Sequence, residues 1–206
     1  MTSAALHTDY LSLLKSTLDK LSPENLENVS KAFLACYESG GTFYVFGNGG
    51  SAATASHMAG DFMKGASYGL EKRFKFICLN DNNSAMMAIA NDISYDDIFV
   101  EQLKNFLQPN DLVIGISGSG NSNNVVKAME YAKEKGVKTL ALCGYSGGKI
   151  KQLADLNVHA EVNDMEICED IHMVVFHTIK QGLIKHLHGT SSVSMGSVYD
   201  ARLTPP

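Results

Sequence analysis

Residues 42–61 read TFYVFGNGGSAATASHMAGD: an apolar run, a glycine turn, then a helical pattern. A strand entering a helix through Gly47-Asn48-Gly49-Gly50-Ser51-Ala52 leaves free N–H groups at the helix start. Glycines there let a ligand approach the backbone, so the turn is a candidate anion cradle. His57 and Asp61 follow four residues apart, which puts both side chains on one helix face. The turn also fits the loose dinucleotide pattern G-x-G-x-x-A. Against that reading, the nearest acid at the end of the next strand, Asp81, stands far along the chain for a ribose contact.

Further on, Ile116-Ser117-Gly118-Ser119-Gly120-Asn121-Ser122 again lies between an apolar run and a helical pattern, and it carries three hydroxyls. Serine hydroxyls with helix N–H groups suit a compact phosphomonoester better than a pyrophosphate passing bare glycine backbone. Taken alone, either loop could be a tight turn whose serines cap a helix. Two of them at one sheet edge favour a ligand.

Around the loops, short apolar runs (43–46, 74–79, 112–116, 139–143 and 156–160) alternate with helical patterns at 51–64, 84–90, 96–107, 121–135 and 148–154. That alternation predicts an α/β fold with a five-stranded parallel sheet, doubly wound and covered on both faces. Such sheets bind ligands beyond the carboxyl ends of their strands, where both loops fall. Two amphipathic helices precede the first strand, the second starting at Ser22-Pro23-Glu24 and stopping at Gly40-Gly41. They exceed what the sheet needs and suggest packing on another copy of the chain. A long helix spans 165–188. Residues 1–188 read as one domain and 189–206 as a tail without periodicity.

Bulk properties exclude several classes. The chain has 206 residues, 45% of them hydrophobic, which is ordinary for a globular protein. A net charge of −5 with only 17 basic residues and no basic cluster argues against direct nucleic-acid binding. No apolar run is long enough for a bilayer, and the N-terminus lacks a signal-peptide pattern, so the expected location is cytoplasmic, away from membranes. Cys36, Cys78, Cys143 and Cys168 fall singly in apolar segments, as buried reduced thiols do.

G-N-G-G-S-A…H-M-A-G-D, A-N-D at 90–92 and G-I-S-G-S-G-N-S at 115–122 resemble the sugar isomerase (SIS) domain family, and more narrowly its phosphoheptose isomerase branch. The similarity runs from about Asp9 to Lys185 and includes the helices at both ends. It implies a flavodoxin-like sheet, a homotetramer with active sites between subunits, and conversion of sedoheptulose 7-phosphate to mannoheptose 7-phosphate. No nucleotide cofactor is implied. His57 matches a zinc ligand of the branch. Asp61 stands where the branch usually has a glutamate acting as ligand and base, and the shorter side chain changes where a proton is taken. Glu169 replaces a glutamine that binds substrate and metal. His177 matches a catalytic, metal-binding histidine, and Asn91 with Asp92 matches a substrate-contacting pair. Gly118 replaces the branch's usual threonine.

Eight helical residues separate Glu169 from His177 by about 12 Å along the axis, whereas zinc ligands lie roughly 2 Å from their metal. Either Glu169 precedes the regular helix, or the two come from different subunits, or they share no metal. His172 reads as structural, and Met86 and Met87 as core filler.

These residues predict an aldose–ketose isomerase. Ser51, Ser117, Ser119 and Ser122, with the backbone of Gly49, Gly50 and Gly118, hold a phosphate. Asn48 and Asp92 hold hydroxyls, and Asp61 or His177 moves a proton through an enediol. Zinc, implied by the resemblance at His57, Asp61, Glu169 and His177, would polarise the carbonyl or order the site. The alternatives are an isomerase of another sugar phosphate, or a non-catalytic relative of the type that associates with a replication initiator; that type lacks the histidine matched by His177.

Overall fold

Strands flanked by sheet on both sides and covered by helices above and below need no alternation of polarity, and the three inner runs have none. The computed structural model describes residues 3–188. In it, β1 (Thr42–Gly47), β2 (Lys75–Cys78), β3 (Leu112–Ser117), β4 (Lys138–Cys143) and β5 (Leu156–His159) form one parallel sheet ordered β2-β1-β3-β4-β5. β1, β3 and β4 are buried almost throughout, whereas the edge strands β2 and β5 are partly exposed.

Successive side chains feed two separate cores. Phe43, Val45, Ile114 and Leu142 point to the face covered by α2 (Pro23–Ser39), α3 (Gly50–Gly60) and α8 (Met165–His188), against which α1 (Ser3–Leu18) also packs. Tyr44, Phe46, Val113 and Ala141 point to the face covered by α4 (Asn83–Asp92), α5 (Val100–Phe106), α6 (Asn123–Glu134) and α7 (Gly148–Leu153). The first core is dominated by phenylalanines: Phe43 and Phe76 stack at 4.8 Å between ring centroids, and Phe62 stacks on Phe76 at 4.7 Å. Full burial of each such ring contributes about 1.5–3 kcal/mol.

The helix boundaries follow local chemistry. Ser22 caps α2 by accepting the Asn25 N–H at 3.2 Å, and Gly40 ends it in the left-handed region at φ 74°. Three expectations need correction. The helix expected over 51–64 stays α-helical only to Gly60 and then widens into a π-helical turn, Asp61–Ala66. The helix expected over 96–107 is broken: Ser94 accepts the Asp96 N–H and donates to the Asp97 carboxylate, holding a 3-10 turn before α5 starts at Val100. Met87, expected in the core, is 72% exposed, and α4 buries none of its residues.

The four cysteines are buried free thiols. Among the described residues no helix is long and apolar enough to cross a membrane. The tail read at 189–206 lies outside the described residues.

Candidate active site

β1 and β3 are neighbours in register, with Gly47 opposite Ile116, so the two glycine-serine loops leave the sheet side by side. Gly49 begins α3 at φ 56°, a conformation that strongly favours glycine. Two amide pairs fix this first loop. Asn80 donates to the Gly47 carbonyl at 2.9 Å and accepts its N–H at 3.2 Å. Asn48 and the buried Asn124 at the start of α6 exchange amide hydrogen bonds, both 2.9 Å, and the Tyr95 hydroxyl donates to the same Asn48 oxygen at 3.0 Å. Asn48, expected to hold a sugar hydroxyl, therefore already serves to join the loops.

In the second loop the Ser117 and Ser122 hydroxyls lie 3.2 Å apart, and Ser117 Oγ accepts the Gly120 N–H. Ser119 accepts the Asn121 N–H at 3.2 Å, and a hydroxyl that accepts one bond still has a proton to donate. Ser51 is buried at the start of α3. Ser51, Ser117, Ser119 and Ser122 thus belong to one mouth at the carboxyl end of the sheet. Asn91 and Asp92 are the last two residues of α4, not residues beyond it. They are exposed and bond each other at 2.7 Å, on the segment that Tyr95 ties to Asn48.

α3 and α8 run side by side in the same direction. At the mouth, a Cβ on Gly50 would lie 2.1 Å from the Glu169 carboxylate, so the glycine makes room for that group at the positive end of α3. Burial, then Glu166 and Asp170, raise the Glu169 pKa above the ordinary carboxylate value. Similarly, a Cβ on Gly118 would lie 2.3 Å from Met165 Sδ; methionine fills the space beside the second loop. Both contacts come from the first two turns of α8.

About 10 Å further along α3, seven residues past Gly50, a second group of polar side chains gathers. Asp61 Oδ2 lies 3.6 Å from His57 Nε2 and 3.5 Å from His177 Nε2, and the two imidazole nitrogens are 3.3 Å apart. Lys180 Nζ reaches the same carboxylate oxygen at 2.6 Å. The imidazoles are about half exposed (50% and 47%), Asp61 is 28% exposed and Lys180 only 7%. The histidines therefore face solvent while the lysine comes from inside.

His57, Asp61 and His177 are the group among the described residues whose donor atoms could hold a metal ion. A tetrahedral ion with bonds of roughly 2.0–2.2 Å has donor–donor edges of about 3.3–3.6 Å. The three observed spacings fit one face of such a site. Glu169 is not in the group: it lies in the second turn of α8, which removes the possibility that it precedes the helix. Within one chain Glu169 and His177 serve different places.

Behind both places, His172 is fully buried and donates Nε2–H to the Cys143 carbonyl at 3.2 Å, while Nδ1 has no partner. Burial pulls its pKa down to about 4, the carbonyl bond opposing. The imidazole is a neutral pin between α8 and β4.

Lys180, Asn80, Asn124, Tyr95 and Met165 were not marked by the sequence reading. Each acts through a partner far away in the chain, and only the Asx-rich stretch around Asn80 carried any local signal.

The SIS domain model matches residues 8–144. A probable phosphoheptose isomerase of Thermoplasma volcanium is 39% identical over 172 residues, covering 84% of this chain and 87% of the relative. A phosphoheptose isomerase of Aliarcobacter butzleri is 40% identical over 159 residues, 77% of this chain and 83% of the relative. Among solved structures, the phosphoheptose isomerase of Neisseria gonorrhoeae superposes with a TM-score of 0.80 at 27% identity, covering 87% of this chain and 95% of that one. That of Francisella tularensis superposes at 0.82 and 25% identity, covering 90% and 100%.

Proposed function

This chain belongs to the SIS domain family, and from that premise we propose that it isomerises sedoheptulose 7-phosphate to D-glycero-D-manno-heptose 7-phosphate. At the coarser level it is an aldose–ketose isomerase of a phosphorylated sugar, like the phosphoheptose isomerases it resembles over most of its length. The observation that carries the reading is the convergence of His57, Asp61 and His177 on one point, about two turns of α3 from the serine-bearing loops.

The phosphate rests on Ser51, Ser117, Ser119 and Ser122 with the backbone of Gly49, Gly50 and Gly118. Asn91 and Asp92 hold chain hydroxyls, and Asn48 keeps the loops in register for them. From the ketose, Asp61 or His177 takes the proton on C1, and that electron pair makes the C1–C2 double bond while the C2 oxygen gains a proton. The enediol then gives up the proton on O1 and is protonated at C2, which yields the aldose. Histidine suits either role because its ordinary pKa lies near neutrality. Zinc is the ion we assign to His57, Asp61 and His177; when bound it supplies Lewis-acid polarisation of the carbonyl. Glu169 contacts substrate at the mouth.

We further assign a homotetramer in the cytoplasm. The half-exposed imidazoles, an α4 without a buried residue and exposed Met87 and Ile93 suit a site completed by a second copy. Four buried free thiols suit a reducing compartment.

The test is an isomerase assay on the purified chain against five- to seven-carbon ketose phosphates. The heptulose phosphate should turn over fastest, and His177→Ala should lower its turnover by about 10²–10⁴ with the fold intact. Turnover of the heptulose phosphate no faster than the pentulose phosphates would refute the substrate assignment.

A further inference from the structure

Lys180 has no role in the reaction just described, yet it makes the shortest polar contact in the cluster. It lies one helical turn after His177 on α8, its side chain 7% exposed, with Nζ 2.6 Å from Asp61 Oδ2. A buried ammonium is retained only with a partner, and this carboxylate is that partner. The oxygen it holds is the one that faces both imidazoles, at 3.6 and 3.5 Å.

A divalent ion on the face formed by His57, Asp61 and His177 would lie roughly 2 Å from Oδ2. Since Nζ is 2.6 Å from the same oxygen, ion and ammonium could be separated by no more than the sum of those two lengths. Like charges that close repel strongly where water is partly excluded. The ammonium also draws on the electron density that the oxygen would offer a metal.

We propose that Lys180 is the resident counter-ion of Asp61, a positioning residue that holds the short carboxylate against the histidines and competes with a divalent ion for Oδ2. The cluster then has two forms: one neutralised from inside by the lysine, the other loaded from solvent at the cost of weakening that pair. Divalent affinity is set low by a residue that coordinates nothing. The inference rests on the metal-binding face assigned above but not on the identity of the sugar.

Cobalt(II) titration of the full chain, stripped of metal by chelator and followed by visible absorption of the tetrahedral ion, reads this directly. Lys180→Met should bind cobalt at least tenfold more tightly than wild type. Lys180→Arg, which keeps the charge, should stay within about threefold of wild type by the same electrostatic argument. His57→Ala should lose the absorption, which identifies the titrated site. If Lys180→Met does not fold, Lys180→Gln provides the same neutral comparison. Equal or weaker affinity in the neutral variant, tightening by Lys180→Arg as large as by Lys180→Met, or no cobalt binding in any variant would overturn the proposal. Isomerase activity is not read in this titration, so its failure is distinguishable from a wrong substrate.

Discussion

The loop mouth and the His57–Asp61–His177 cluster are built on the same two helices, yet they treat their polar groups in opposite ways. At the mouth, Asn80, Asn48, Asn124, Ser117 and Ser122 bond the loops or one another. In the cluster, three nitrogens converge on one carboxylate oxygen and two of the donors face solvent. A network that satisfies itself is rigid and makes a binding cradle. A convergent set with unused capacity can exchange protons or hold a cation. Binding and chemistry are thus separated by about two turns of α3 and α8.

The separation implies a graded set of outcomes. Asp61→Ala or His177→Ala should lower kcat by about 10²–10⁴, the usual worth of a positioned acid or base, with circular dichroism unchanged. A loss confined to KM would move the chemistry to the mouth.

His172 pins α8, which serves both regions, so acid should damage both together. Its pKa is about 4 in the fold and about 6.5 unfolded, so the unfolded chain binds more protons in between. The stability it supports is complete above the unfolded value and is lost as pH falls toward and through the folded one. Denaturation of wild type and His172→Leu should show a pH-dependent gap that closes by roughly 3 kcal/mol over that window. Parallel pH profiles would remove His172 from this role.

Asn124→Ala leaves the half-buried Asn48 amide with only the Tyr95 hydroxyl as a side-chain partner. It should cost about 1–3 kcal/mol in denaturant unfolding and raise KM more than it lowers kcat. The smallest effect is expected from Glu169→Gln. Because burial and neighbouring acids raise the Glu169 pKa, its contribution to stability is present in acid and is lost as pH rises through the folded value. The variant should therefore be more stable than wild type at neutral pH and equal to it in acid, read by thermal shift.

Much of this was legible because it is local. The run at 43–46, the loop at 47–52 and the spacing of His57 and Asp61 are decided within a few residues of each other, and the five strands follow from apolar runs between turns. The widening at Asp61 was not legible, because Phe62 and Ala66 fit an α-helical pattern as well as a π-helical one. Lys180 reads as a solvated charge on an amphipathic helix until α3 is packed beside α8. The same holds for Asn124, an ordinary helix-start residue until β1 is placed next to β3. Met87 failed for the converse reason: a methionine beside a strand reads as core, but among the described residues α4 buries none of its side chains and Met87 is exposed.

Steady-state kinetics on sedoheptulose 7-phosphate with Ser119→Ala/Ser122→Ala and with His177→Gln test the division of labour most directly. The account predicts that the serine pair raises KM at least tenfold with kcat within about threefold, while His177→Gln lowers kcat by about 10² or more with KM little changed. Comparable losses of kcat in both variants, or turnover retained by His177→Gln, would contradict it.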